Sequence, residues 1–140
     1  MNKARNLTIR IAETLDFDVI HKHEKWLDKA TLSKKITDGK VYVVYSGDEF
    51  VGWLRYGLFW DNIPFMNMLN LLESHQRKGI GRKLVEFWEA EMCKKGYKLV
   101  LTSAPSNEHA QHFYTKLGYK AIGSFSLKND PLEIMFQKII

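Results

Sequence analysis

A mixed α/β domain is the fold class that the sequence predicts. Three observations predict it. Short β-branched or alternating segments recur along the 140 residues. Stretches with helical apolar spacing interrupt them. Glycine or proline stands at most of the junctions. The order reads β-αα-βββ-α-β-α-ββ, which combines antiparallel meanders with at least one crossover. The length suits one compact domain, residues 1–140, with a core of its own.

Each element has its own reason. Residues 7–11 alternate apolar and polar, as a half-buried strand does. Residues 16–36 carry Val19, Ile20, Trp26, Leu27, Ala30, Leu32 and Ile36 at three- and four-residue spacing, which predicts helix in two pieces. Gly39 closes them. Residues 41–45, Val-Tyr-Val-Val-Tyr, read as a strand. After the turn at 46–49, residues 50–59 return as the second arm of a hairpin. Gly52 inside that arm marks a bulge or a close backbone approach. Residues 60–64 read as a loop and 65–72 as a fourth strand, on which Met66 and Met68 serve packing. Residues 79–95 form a helix with Ile80, Leu84, Val85, Trp88 and Met92 in one stripe and Gly96 as its C-terminal cap. Residues 98–102 read as a central strand, ended by Pro105. A short helix follows with Ala110, Phe113, Tyr114 and Leu117 on one face, capped by Gly118. Residues 119–127 and 132–140 form the last pair of strands.

Composition excludes several classes. No run of about 18 apolar residues exists, so no spanning helix is expected. The charged start, residues 1–6, lacks a following apolar stretch, against an ordinary secretory signal. The one cysteine, Cys93, cannot pair within the chain, which fits a reducing, cytoplasmic setting. The net charge of +5 favours a polyanionic partner, either nucleic acid or a multiply phosphorylated ligand. Basic residues concentrate at Arg77, Lys78, Arg82 and Lys83. No aromatics interleave with them as a single-strand platform requires, so nucleic acid is the poorer fit.

The chemistry points to residues 73–82. A polar turn leads into a helix opened by Gly79 and Gly81. Glycines let a ligand approach the backbone closely. The first helical turn offers free N–H groups and the positive end of the helix dipole, and the neighbouring bases add charge. A diphosphate suits such a loop. The G-x-x-x-x-G-K-[ST] loop of nucleotide hydrolases is not present. The dinucleotide fingerprint fails too, because Gly79-Ile80-Gly81-Arg82-Lys83-Leu84 lacks its third glycine.

The segment Gln76-Arg77-Lys78-Gly79-Ile80-Gly81 does fit Q/R-x-x-G-x-G/A, and it resembles the acetyl-CoA signature of the GNAT superfamily of N-acetyltransferases. Leu69-Asn70-Leu71 stands where that family ends its fourth strand. Residues 107–119, from Asn107 through Phe113 and Tyr114 to Tyr119, resemble the second signature, N-x-x-A-x-x-F-Y-x-x-x-G-F/Y. The element order agrees over nearly the whole chain.

The resemblance implies a GNAT-like fold whose sheet splays between strands 4 and 5. It implies that the backbone at Leu69 and Leu71 pairs with the pantetheine arm of acetyl-CoA. The amides of Arg77, Lys78, Gly79, Ile80, Gly81 and Arg82, next to Gln76, would hold its pyrophosphate. Asn107 and Phe113 would lie beside the pantetheine. Tyr114 would be the acid for the departing thiolate. Taken alone, Asn107 reads as a helix N-cap and Tyr114 as a core aromatic. No metal is required, and His109 with His112 lack a third ligand. The general base stays open, with ordered water, Asp61 or Glu133 as candidates; strand 5 offers only Thr102 and Ser103. The expected activity is acetyl transfer to a primary amine, which could be a small amine, an aminoglycoside-like compound or a protein N-terminus. A non-catalytic acyl-CoA-binding module is the alternative. Dimers are common among such proteins, and the C-terminal edge strands are a place for an interface.

Overall fold

The computed structural model describes residues 6–140. The strands are β1 (Leu7–Ile11), β2 (Val41–Ser46), β3 (Glu49–Phe59), β4 (Ile63–Leu71), β5 (Leu99–Pro105), β6 (Lys120–Phe125) and β7 (Glu133–Ile139). The helices are α1 (Phe17–His23), α2 (Lys29–Thr37), α3 (Ile80–Lys94) and α4 (Ala110–Lys116), with 3-10 turns at Thr14–Asp16 and Glu73–His75. The order is the one expected. The strands hydrogen-bond as β1-β2-β3-β4-β5-β7-β6.

The crossover through α3 makes β4 and β5 parallel, whereas β1–β2, β2–β3, β5–β7 and β6–β7 are antiparallel. The parallel register comprises Phe65↔Leu101 and Met66↔Thr102. Both strands continue beyond that point, so β4 and β5 part there, as the splayed sheet requires. Among the described residues no helix is long and apolar enough to cross a membrane.

The chain forms two compact units. The first comprises Met1–Tyr56 and Met68–Trp88. In it, alternation along β2 sends Val41 and Val43 into a core with Ile20, Leu32, Ile36, Phe50 and Trp53, against which Met68 packs. Tyr42 points the other way, edge-on to Phe87 of α3 at 5.7 Å. Ile80, Leu84, Val85 and Trp88 of the α3 stripe are all buried. Gly52 proves to be both a bulge and a close approach. The β2–β3 register slips beside it, between Val44 and Tyr45. A Cβ at Gly52 would collide with the Asn70 carbonyl oxygen and lie 2.8 Å from Leu71 Cδ2.

Two expectations in this unit need correction. Trp26 is not helical and is 78% exposed, and Ala30 is exposed as well. The helical spacing misleads because polar groups divide it. The Asp28 side chain accepts from Thr31 N–H at 2.7 Å and starts α2 afresh. Glu24, extended at the end of α1, is drawn inward to a buried Arg55 at 2.7 Å.

The second unit comprises Gly57–Asn67 and Glu89–Ile140. Its centre is β5, paired residue for residue with β7 from Leu99↔Ile139 to Pro105↔Glu133. This pairing carries β5 past Thr102, where the sequence reading ended it. β4 likewise starts two residues early, at Ile63, and Pro64 is inside it. The preceding turn shrinks to Trp60–Asn62 because Trp60 and Asp61 take left-handed conformations, φ 53° and 62°. On the α3 side, Glu89 is buried and accepts from the Tyr119 hydroxyl at 2.6 Å and from Lys138 Nζ at 2.9 Å. Met92 is fully buried, and Cys93 is exposed.

Candidate functional site

In the first unit, the expected anion loop is tied down at its entrance. Gln76 Nε2 donates to the Leu71 carbonyl at 2.9 Å, joining the turn to the end of β4. His75 Nε2 lies 3.1 Å from Glu49 Oε1. Arg77 and Gly79 both adopt positive φ, 63° and 79°. Gly79 then caps α3, its carbonyl accepting from Lys83 N–H at 3.2 Å. A left-handed residue followed by a helical one turns successive N–H groups toward one concavity, which suits an anion. Ile80 is buried, so only its backbone is available there, and Gly81 is buried beside it. Arg77, Lys78, Arg82 and Lys83 are exposed around the loop. Arg82 also holds Glu86 at 2.6 Å, one helical turn on. Leu69 and Leu71 lie half-buried on the last residues of β4. This donor set fits a pyrophosphate: backbone amides at a helix start, a glycine at the required φ, and cations at the rim.

In the second unit, Tyr114 is buried on α4 against Phe136, Tyr119 and Phe113, with ring centroids 6.1, 5.7 and 5.3 Å away. The Thr102 side chain is near enough to its hydroxyl to influence its titration. Thr102 Oγ1 in turn donates to the Met66 carbonyl at 2.9 Å. Met66↔Thr102 is also where the parallel register ends. The Tyr114 hydroxyl therefore sits where β4 and β5 part. Burial pushes its pKa up to about 12. Thr102 acts the other way, because that hydroxyl can turn to a phenolate, and the Glu133 charge adds to the rise. Tyr114 is thus a protonated donor at neutral pH.

Thr102 and Ser103 are consecutive on β5 and face opposite sides of the sheet. Ser103 Oγ donates to Glu133 Oε2 at 2.7 Å. Glu133 accordingly lies on the face away from Tyr114. Asp61, the other carboxylate candidate, is exposed in the turn before β4. Asn107 is exposed and is not the N-cap of α4; His109 holds that position, without a side-chain cap bond. A turn closed by Glu108 N–H to the Pro105 carbonyl at 3.2 Å pushes the helix start past Asn107. Phe113 is half-buried beside Tyr114. The His109 and His112 rings are 6.2 Å apart, and among the described residues no cluster of three or more His, Cys, Asp or Glu could hold a metal ion.

Sequence reasoning noted Thr102 and Ser103 but not their partners. A threonine ending the apolar run Leu99-Val100-Leu101 was the available signal.

The profile of the acetyltransferase (GNAT) family matches residues 8–119. No curated protein sequence matches the chain. Among solved structures, Ard1 from Thermoplasma volcanium superposes with a TM-score of 0.84 at 14% identity, covering 96% of this chain and 97% of that one. The ribosomal-protein-S18-alanine N-acetyltransferase from Escherichia coli gives 0.79 at 18% identity, covering 96% and 94%. A GNAT family acetyltransferase from Elizabethkingia anophelis with acetyl-CoA bound gives 0.76 at 18% identity, covering 96% and 99%. At these identities the likeness is one of fold.

Proposed function

The chain belongs to the acetyltransferase (GNAT) family, and from that premise we propose that it transfers acetyl from acetyl-CoA to a primary amine by direct attack in a ternary complex. The observation that carries the reading is the buried Tyr114 hydroxyl, kept protonated by burial and close to Thr102, where β4 and β5 part.

In this reading the amides of residues 77–82 hold the pyrophosphate of the donor. Gln76 fixes that loop to β4. The backbone at Leu69 and Leu71 pairs with the pantetheine. The neutral amine attacks the thioester carbonyl while a backbone N–H stabilises the oxyanion; ordered water takes the proton that the nitrogen sheds, and Tyr114 protonates the thiolate as the C–S bond breaks and is reprotonated from that water. Acetyl-CoA held by the Elizabethkingia anophelis protein is in keeping with this donor. The Escherichia coli enzyme, by name specific for an alanine of a ribosomal protein, keeps a protein N-terminus among the acceptors. An exposed free thiol at Cys93 accords with action in the cytoplasm.

The test is thiol release from acetyl-CoA across a panel of primary amines, with CoA binding measured by calorimetry. Saturable release with at least one amine class is expected. CoA binding without release for any amine would replace this reading by that of a non-catalytic acyl-CoA-binding module.

A further inference from the structure

The face of the second unit away from Tyr114 carries a groove of about 310 Å³, within the range of small-ligand sites (~300–1,000 Å³). Trp60, Ile63, Leu101, Ile122 and Met135 line it, with Gln137 among its few polar groups. Trp60 is 78% exposed and Ile122 is 48% exposed, so the groove opens to solvent.

Glu133 is not among the lining residues, but it lies on the same face of the sheet, beyond Met135. Register pairs share a face of a sheet, so Leu101↔Gln137, Ser103↔Met135 and Pro105↔Glu133 all point the same way. Glu133 is one same-face step beyond Met135. Its bond to Ser103 Oγ at 2.7 Å tilts the carboxylate back over Ser103, the same-face neighbour of groove-lining Leu101. That bond uses Oε2 and leaves Oε1 for another donor. The groove thus has an apolar wall, and one anchored negative charge lies on the same sheet face next to it. It also adjoins, across β5, the strand position beside the Tyr114 hydroxyl.

We propose that this groove is the acceptor site, and that the acceptor is a primary amine bearing an apolar or aromatic group. Its ammonium pairs with Glu133. Its apolar part lies against Leu101, Met135, Ile122 and Trp60. A single carboxylate beside an apolar wall disfavours polycations, as does the chain's net charge of +5. The inference rests on the acetyltransferase reading for the word acceptor, and on the groove alone for the chemistry bound.

The experiment titrates the full chain, saturated with CoA, with 2-phenylethylamine in a calorimeter. 2-Phenylethanol and spermidine serve as comparisons. Saturable binding of the aromatic amine alone is expected. Glu133→Gln, which retains an acceptor for Ser103, should weaken it about ten- to hundredfold, the worth of one hydrogen bond between charged groups. Ile122→Lys, at a half-exposed site, should weaken it by a comparable factor, and Asp18→Asn, an exposed carboxylate on α1, should leave it unchanged. Equal binding of the alcohol, tighter binding of spermidine, or Glu133→Gln within about twofold of the parent would overturn the proposal. Thiol release is followed in parallel. Amine binding without release for any amine defeats the acetyltransferase reading and leaves the groove's chemistry standing. Release with hydrophilic amines but no binding of 2-phenylethylamine defeats only the groove.

Discussion

Replacing Tyr114 by phenylalanine removes one oxygen atom and leaves the ring where Phe136, Tyr119 and Phe113 hold it. Thr102 keeps its bond to the Met66 carbonyl, so the variant leaves no Thr102 donor unpaired. Loss of the hydroxyl costs about 1 kcal/mol of stability. For a chain of this length it lowers Tm by roughly 3–5 °C. The catalytic loss should be larger. General acids contribute about 10²–10⁴ in rate. A thiolate of pKa ~8.5 is already a fair leaving group, so the low end applies. A fall of about a hundredfold in kcat, or ~2.7 kcal/mol in the barrier, is therefore expected for Tyr114→Phe. The KM for acetyl-CoA should hardly move, because the hydroxyl acts on the departing sulfur. The pH profile sharpens the test. With Tyr114 at about 12, the parent should show no loss of kcat from its ionisation below about pH 11. Steady-state thiol release in parent and variant, alongside thermal melts, measures all of this. A kcat within about threefold of the parent in a folded variant would refute the acid role.

Three further predictions test other parts of the argument. Gly79→Val forces a branched residue into φ 79°, which costs roughly 1–3 kcal/mol, and it should abolish calorimetric CoA binding by crowding the amides at the start of α3. Unchanged CoA affinity would remove the loop from the donor site. Gly52→Ala places a methyl 3.0 Å from Leu71 Cα and against the Asn70 carbonyl, neither able to turn aside; about 3 kcal/mol should be lost, seen as a lower denaturant midpoint at constant slope. Asp16 is buried, which alone would raise its pKa, but hydrogen bonds from Arg10, the Glu13 N–H and Tyr45 lower it instead. Its folded value is below the unfolded one of ~3.9, so its stabilisation is present above about pH 4 and disappears as pH falls through the folded value. Urea midpoints between about pH 2 and 6 should therefore drop less steeply for Asp16→Asn than for the parent.

Much of this fold was legible because periodicity survives folding wherever burial alone decides structure. The α3 stripe and the β2 alternation are of that kind. Legibility failed where a distant partner decides. Nothing local says that β5 runs on to Pro105; its pairing with Glu133, 28 residues later, does so. Trp26 has helical spacing, yet Asp28 restarts the helix after it, and Glu24 answers to Arg55 from another element. The candidate site divides in the same way. A loop suited to bind through backbone amides is legible in its glycines, of which Gly79 also meets the φ of 79° at the start of α3. Groups that bind through side chains from separate strands leave no contiguous trace. Thr102 owes its meaning to Tyr114 and Met66, and Ser103 owes its own to Glu133.

The register of one strand therefore has a chemical consequence. Because Thr102 and Ser103 are adjacent, the phenol beside the one and the carboxylate held by the other stand on opposite faces of β5, where its pairing with β4 ends. The strand keeps the Tyr114 hydroxyl off Glu133, and burial keeps the proton on the phenol. The Glu133 charge nevertheless reaches across and raises the Tyr114 pKa. An ammonium paired with Glu133 would cancel that field. Tyr114 would then become a better donor once the acceptor is bound. That effect lasts only while the ammonium is paired, because the amine must give up its proton before it attacks; Glu133 would therefore act in binding and leave the later protonation of the thiolate to Tyr114 alone.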